Sequence, residues 1–161
     1  MTDDLDLDDQ LRLLLHPSGD AGAQRARGEA LNELLERADE AHPRLLALAE
    51  AQPPSLQAML ALPRFGRPES VPVLEHVLLT ADDPTTAVAA GALADHPAPE
   101  ALAALESALG SDRAQVVLSA VMGLAERGDR HACGALRGAL GHADGEIRER
   151  VAQARARLGC D

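Results

Sequence analysis

The chain has 161 residues and a formal net charge of −11, from 26 acidic and 15 basic residues. This charge repels phosphate backbones, which nucleic-acid-binding proteins neutralise with Lys and Arg, so nucleic acid is not an expected partner. No apolar stretch reaches the roughly 18 residues of a membrane span, and the acidic start, Met1–Asp6, differs from the basic start of a secretory signal. The sequence therefore predicts a cytoplasmic protein without a membrane span. All of its basic residues are arginines, and its richness in Ala, Gly and Pro is typical of GC-rich bacterial coding.

One dipeptide recurs at an interval of 31 residues along nearly the whole chain. Ala-Leu, or a pair in the same register, stands at 30–31, 61–62, 92–93, 123–124 and 154–155. A fixed period of roughly 20 to 50 residues is typical of solenoids, in which each repeat is one supersecondary unit stacked on its neighbours. Apolar residues at i, i+3 and i+4 inside each repeat favour helices. The predicted fold is an all-α solenoid of about five antiparallel helix hairpins.

In chain order, the first predicted unit is degenerate, with a long turn at His16–Asp20. Terminal units are expected to be atypical, because one of their faces has no neighbour. The second unit has a first helix around Leu45–Ala49 and a second helix at Ser55–Phe65, and the last three units are clear. The predicted units, within a single domain of residues 1–161, are 5–37, 41–66, 68–97, 99–128 and 130–159.

The ends of the helices are predicted from small and acidic residues. Gly110 and Gly141 follow apolar helical runs and suit the left-handed position that ends a helix. Asp83, Asp112 and Asp144 stand where an N-cap would open the second helix of a unit. A leucine in the same register of each second helix is expected to form the buried spine: Leu31, Leu62, Leu93 and Leu124.

Two segments resemble a known repeat family. Residues 60–74, LALPRFGRPESVPVL, resemble the junction between the HEAT-like repeats first described in phycobilin lyases, and residues 144–148, DGEIR, resemble the start of their second helix. The resemblance covers about 41–159 well and 5–37 weakly. It implies an α-solenoid whose second helices line a concave surface. Scaffolds, lyase subunits, an iron-dependent hydroxylase and a relative of DNA glycosylases share this architecture.

The chain lacks the features of the enzymes in that group. The hydroxylase uses His-Glu pairs as metal ligands, whereas this sequence has only the reverse order, Glu75-His76. The glycosylase type needs a basic, aromatic concave face, and Phe65 is the single aromatic residue here. Phosphate-binding loops, nucleophile elbows and paired carboxylates are also missing. The sequence predicts a protein that is not an enzyme and has no cofactor.

His131, Cys133 and Cys160 are the nearest approach to a metal site. A zinc site would need a fourth ligand and a different spacing, so a histidine in a turn and a buried cysteine are the preferred interpretation. The two cysteines are too few and too far apart for a disulfide framework.

The second helices carry more apolar residues than one core stripe requires. Residues 114–122 are apolar nearly all round, and a helix that is apolar on every side is expected to be buried on every side. The predicted apolar strip, with a polar rim in the last unit, consists of Leu56, Met59, Leu60, Ala87, Ala90, Val117, Leu118, Val121, Met122, Arg148 and Gln153. Three explanations stay open: burial of these groups on one another, a groove for a helix or apolar segment of a partner, and self-association as a homodimer.

These observations favour a non-catalytic protein–protein interaction module that binds another protein along its concave surface. One alternative is an immunity or inhibitor protein that neutralises a basic bacterial toxin, because the chain is small and acidic. A second is a phycobilin-lyase-like subunit that handles a chromophore. The acidic start is either a solvated helix terminus or an edge that attracts a basic partner, with aspartates at Asp3, Asp4, Asp6, Asp8 and Asp9.

Overall fold

The computed structural model describes residues 6–16 and 19–160, so Asp3, Asp4 and part of the turn at His16–Asp20 lie outside the described residues. Within those ranges the chain forms helices and no strand, which confirms the predicted all-α class. The helices are α1 (Leu7–Leu15), α2 (Ala21–Glu36), α3 (Ala38–Glu50), α4 (Leu56–Phe65), α5 (Ser70–Thr80), α6 (Asp83–Asp95), α7 (Pro99–Ala108), α8 (Ala114–Arg127), α9 (Cys133–Ala139) and α10 (Gly145–Leu158). A 3₁₀ turn, Arg130–Ala132, precedes α9.

Consecutive helices pair into hairpins, and the hairpins stack into a solenoid. Each odd-numbered helix packs against the even-numbered helix that follows it. The second helices form one continuous layer, because α4 packs on α6, α6 on α8, and α8 on α10. The first helices form the opposite layer, in which α3, α5 and α7 are neighbours. In the part of the chain that the structure describes, each helix is too short or too polar to cross a bilayer.

The predicted leucine spine lies in the core of the second-helix layer. Leu62, Leu93 and Leu124 are fully buried. Leu31 is only partly buried, because the first unit lacks a neighbour on its outer side, and Leu34 is the fully buried leucine of α2. The core therefore runs along the whole stack as one continuous cluster.

The predicted positions of the left-handed glycines are wrong. Gly110 and Gly141 do not have a positive φ, whereas Gly66, Gly128 and Gly159 have φ of 64°, 72° and 68°. The turns that contain these two glycines instead have 3₁₀-type hydrogen bonds, in which an amide donates to the carbonyl three residues back. The left-handed residue is needed where a second helix ends and the chain must leave for the next unit.

The N-cap predictions are correct in one unit of three. Asp144 caps α10, and its carboxylate accepts from the amides of the next turn at 2.8 and 3.5 Å. Asp82, rather than Asp83, caps α6. Arg113, rather than Asp112, is the N-cap residue of α8, and its side chain makes no capping hydrogen bond.

Two arginines of the fourth unit link it to the third unit. The guanidinium of Arg113 donates to the carbonyls of Leu79 and Ala81, at 2.9 and 2.8 Å, at the C-terminal end of α5. Arg127 donates in the same way to the carbonyls of Leu93 and Ala94, both at 3.3 Å, in the last turn of α6. The last carbonyls of a helix have no partner within the helix, so these side chains satisfy them and join neighbouring units independently of the leucine spine.

Cys133 and Cys160 form a disulfide, so the expectation that they are too few and too far apart for a disulfide framework is wrong. Their Cα atoms lie 5.6 Å apart because the hairpin brings the end of α10 back to the start of α9. The carbonyl of Cys133 also accepts from Arg155, and Arg130 donates to the carbonyl of Gly159, both at 2.9 Å. Because both sulfurs are in the disulfide, neither is available as a metal ligand. The disulfide links the two helices of the last hairpin at the end opposite their connecting turn.

Candidate interaction surface

The face formed by the second helices carries the most exposed large apolar side chains. Met122, Leu60 and Leu56 are 54%, 49% and 41% exposed, and no other described large hydrophobic residue exceeds 39%. All three were predicted from sequence as members of the apolar strip. We call this surface the second-helix face and define it by Leu56, Leu60, Ala87, Leu118 and Met122.

Four members of the predicted strip lie in the core instead. The prediction that Val117 and Val121 project away from the core is wrong, because both are fully buried. Ala90 and Met59, one and two repeats earlier in the Val121 register, are buried as well. The reason is that a helix inside the layer has three neighbours: α8 packs on α7, α6 and α10. Only a narrow stripe of such a helix remains for solvent.

The exposed stripe follows two registers of the 31-residue repeat. One register contains Leu60, Gly91 and Met122, and the other contains Leu56, Ala87 and Leu118. Ala87 is exposed, Leu118 is half-buried, and a Cβ added at Gly91 would meet no atom within 4 Å. The face is therefore bulky at α4 and α8 and shallow over α6.

A groove of about 240 Å³ lies between α8 and α10, at one end of the second-helix face. Met122 and Glu126 contribute to it from α8, and Arg150, Gln153 and Arg157 contribute from α10. Neither Arg150 nor Arg157 forms an ion pair with a described residue, although Glu126 stands across the groove. Two guanidinium groups that form no ion pair within residues 6–16 and 19–160 therefore flank an exposed methionine.

The two predicted rim residues have different surroundings. Gln153 lies in the groove and donates to Glu149 at 3.2 Å. Arg148 donates to the carbonyls of His142 and Ala143 at 2.7 and 2.8 Å, so its guanidinium holds the α9–α10 turn. Arg150 and Arg157 were not predicted; the sequence signal was their position at −3 and +4 from Gln153, which places them on the same side of a helix.

The last hairpin has the opposite charge to the rest of the chain. Residues 130–160 contain six arginines and three acidic residues, a formal net charge of +3, within a chain of −11. The groove between α8 and α10 thus lies at the boundary between an acidic body and a basic end.

A buried histidine lies at the junction of α5, α6 and α7. The amide of Ala98 donates to Nδ1 of His96 at 3.1 Å, so the ring proton is on Nε2, which donates to Ser70 Oγ at 2.9 Å. Burial lowers the pKa of His96, and the nearby Arg127 lowers it further. Burial also lowers the pKa of His42, whose ring contacts Phe65 in a tilted arrangement, with a ring-centroid distance of 5.8 Å and an interplanar angle of 47°. Burial in the core therefore favours the neutral form of both rings.

The neutral histidines predict a loss of stability at acidic pH. Their pKa values in the folded chain lie below the unfolded value of about 6.5, so the unfolded chain binds more protons in acid. The stabilisation is therefore complete above about pH 6.5 and is lost below it, by at most about 1.4 kcal/mol per pH unit for each histidine. Urea unfolding between pH 7.5 and 5.0 should show a weaker pH dependence for His96→Gln than for the wild type. His76→Gln, at an exposed position, should keep the wild-type profile, and parallel profiles for His96→Gln and the wild type would contradict the prediction.

The arrangement defines an α-solenoid of stacked helix hairpins with a partly apolar second-helix face. Residues 43–121, slightly under half of the chain, match the family model for HEAT repeats, which supports a HEAT-like repeat protein. The matched segment runs from α3 into α8 and includes the exposed Leu56 and Leu60. Comparison with curated proteins gives no match. HEAT repeats generally mediate protein–protein interaction, and the family is typically non-catalytic.

Proposed function

We propose that this protein is a non-catalytic interaction module that binds a partner protein along the second-helix face, which is concave in HEAT-like solenoids. The observation that supports this proposal is that the three most exposed large apolar residues of the described chain, Leu56, Leu60 and Met122, all lie on this one face. A contiguous exposed apolar patch marks an interaction site more often than a solvated surface. Methionine suits such a surface because its flexible thioether adapts to different partners.

The buried and exposed members of the strip have different roles in this proposal. Leu56, Leu60, Ala87, Leu118, Met122 and Gln153 would contact the partner. Met59, Ala90, Val117 and Val121 would support the face from beneath, and Arg148 would hold the turn at its edge. The continuous core makes residues 1–161 a single domain in this proposal, so the face would act as one rigid surface.

Paired substitutions test the proposal. Leu60→Asp combined with Met122→Asp should abolish co-purification of the partner from a lysate of the source organism and leave the helical circular dichroism unchanged. Leu79→Asp is the matched control, because Leu79 is also a partly exposed leucine but lies on α5 in the opposite layer. Partner recovery that is equal for the double variant and the wild type would refute the second-helix face as the binding site.

The charge of the solenoid body supports an immunity or inhibitor protein as the alternative. Residues 1–129 carry 22 acidic residues and nine arginines, and an acidic surface accelerates association with a basic partner such as a toxin. Under this alternative, the association rate constant should fall steeply with added salt. The likeness of residues 60–74 to phycobilin-lyase repeats supports a chromophore-handling subunit instead, and a shift in the absorbance of an added bilin would identify it.

The disulfide bears on the proposed cytoplasmic location. Disulfides are rare in proteins of the reducing cytosol and persist in oxidising compartments. Trapping free thiols with a maleimide in intact cells would report the state of Cys133 and Cys160 where the protein resides. Reduced cysteines would agree with the cytoplasm, and a fully oxidised pair would place the protein in an oxidising compartment.

A further inference from the structure

We infer that the groove between α8 and α10 binds an acidic segment of the partner, one that carries carboxylates on both sides of an apolar side chain. This inference rests on the proposed interaction function and gives the chemistry of the partner at one end of the second-helix face. It differs from the expectation, drawn from the net charge of the whole chain, that the partner is basic.

The first argument is charge. Arg150 and Arg157 point into the groove and have no ion pair with a described residue, and the hairpin that carries them has a net charge of +3. Other arginines of the chain, such as Arg127 and Arg155, donate to backbone carbonyls. Guanidinium groups recognise carboxylates with charge-assisted and often bidentate hydrogen bonds. Two such groups that have no carboxylate partner among the residues that the structure describes fit an anionic ligand.

The second argument is geometry. Arg150 and Arg157 are seven residues apart on α10, so they lie two turns, or about 10.5 Å, apart along the helix axis. Met122, which is 54% exposed, contributes to the same groove from α8. An extended peptide rises about 3.3 Å per residue and places every second side chain on the same face, so carboxylates four residues apart, about 13 Å along the peptide, would face both long arginine side chains. An apolar side chain between those carboxylates would then lie over the methionine.

Two acidic residues near the groove, Glu126 and Glu149, affect the expected binding of an acidic ligand. Glu126 lies on the α8 wall and is within 4.0 Å of no arginine or histidine nitrogen of the described residues. Its carboxylate would repel the ligand, so Glu126→Gln should tighten binding. Glu149, the other nearby acid, accepts a hydrogen bond from Gln153 and lies beside the groove. Because α8 and α10 pack directly on each other, the groove between them is present before a ligand binds.

The experiment uses the oxidised full-length protein and a fluorescein-labelled nine-residue peptide with the central sequence Asp-Ser-Leu-Ser-Asp, in which the two carboxylates and the leucine between them share one face of an extended chain. Fluorescence anisotropy should show binding to the wild type that weakens with added salt. Arg150→Glu and Arg157→Glu should each weaken it at least 10-fold, and Glu126→Gln should strengthen it about twofold. Arg137→Glu is the matched control: it changes the charge of the same hairpin equally but lies on α9, outside the groove, so it should change the affinity less than twofold.

Control peptides test the preference for acidic residues. Peptides with asparagine or lysine in place of aspartate should bind at least 10-fold more weakly than the aspartate peptide, and equal binding of the lysine peptide would refute the inference. Absence of binding by the aspartate peptide at 1 mM, on the order of the weakest specific affinities, would also refute it. Arginine-dependent self-association in analytical ultracentrifugation would assign the groove to a second copy of this chain. A failure here with the Leu60→Asp and Met122→Asp effect intact would leave the interaction function standing, whereas loss of that effect would remove both.

Discussion

Leu93→Ala is expected to lower the free energy of unfolding by about 3 kcal/mol, within the range of roughly 2–5 kcal/mol for buried leucines. Leu93 is fully buried in α6, which has a neighbour on both sides in the second-helix layer. Neighbouring helices that are held on both sides cannot collapse fully into the cavity, so the lost contacts are not recovered. Urea unfolding measures the change, and Leu124→Ala should behave in the same way.

Leu79→Ala is the control for this experiment. Leu79 is 39% exposed on α5, so the same change of chemistry should cost less than about 1 kcal/mol. Hydrogen exchange should show that α5 to α8 lose protection before α1, because a solenoid passes damage mainly to adjacent units. A cost at Leu93 that is no larger than at Leu79, or uniform loss of protection along the chain, would contradict the continuous leucine spine.

Replacing both cysteines by serine is expected to destabilise the protein by about 3 kcal/mol. The disulfide joins residues 27 positions apart, and a cross-link of that length restricts the unfolded chain by about this amount in the chain-entropy account. The loss should be concentrated in α9, which has seven residues and contains Gly134 and Gly138. Each glycine within a helix costs roughly 1 kcal/mol relative to alanine.

Hydrogen exchange distinguishes local from global effects of the cysteine change. In Cys133→Ser with Cys160→Ser, amides of α9 should exchange at least 10-fold faster, while those of α6 keep their protection. Reduction of the wild type with a dithiol should reproduce the pattern. Unchanged protection of α9 after both treatments would show that the hydrogen bonds of Arg130 and Arg155 hold the hairpin without the disulfide.

The period of the repeat was sufficient to predict the hairpins and their spine. Residues 31 positions apart occupy equivalent places in a stacked array, so a leucine that is buried in one unit is buried in the next. Leu62, Leu93 and Leu124 follow this rule. Leu31 departs from it because the terminal unit lacks one neighbour.

The composition of the exposed face could be predicted only in part. Val117 and Leu118 are adjacent and both apolar, yet the first is buried and the second is half-exposed. The difference depends on which side of α8 meets α6 and α10, and hence on the packing of three helices from different units. The sequence pattern defines an apolar helix but not the direction of its neighbours.

Contacts at the ends of helices were also beyond prediction. The Cys133–Cys160 pair depends on how the last hairpin closes, and the sequence spacing alone made the pair look remote. Asp82 and Asp83 are adjacent acids, and either could serve as the N-cap on composition alone. The backbone angles at the turn decide between them, with Asp82 extended at ψ 163°.

The left-handed glycines give the connections between hairpins nearly the same backbone geometry. Gly66 and Gly128 leave their helices with φ of 64° and 72° and ψ of 16° and 13°. Recombination between these two codons would therefore splice the chain at matching backbone geometry and remove two hairpins at once. The protein could therefore be shortened or lengthened by whole hairpins without a new type of connection between them. Each such variant would have a second-helix face of a different length.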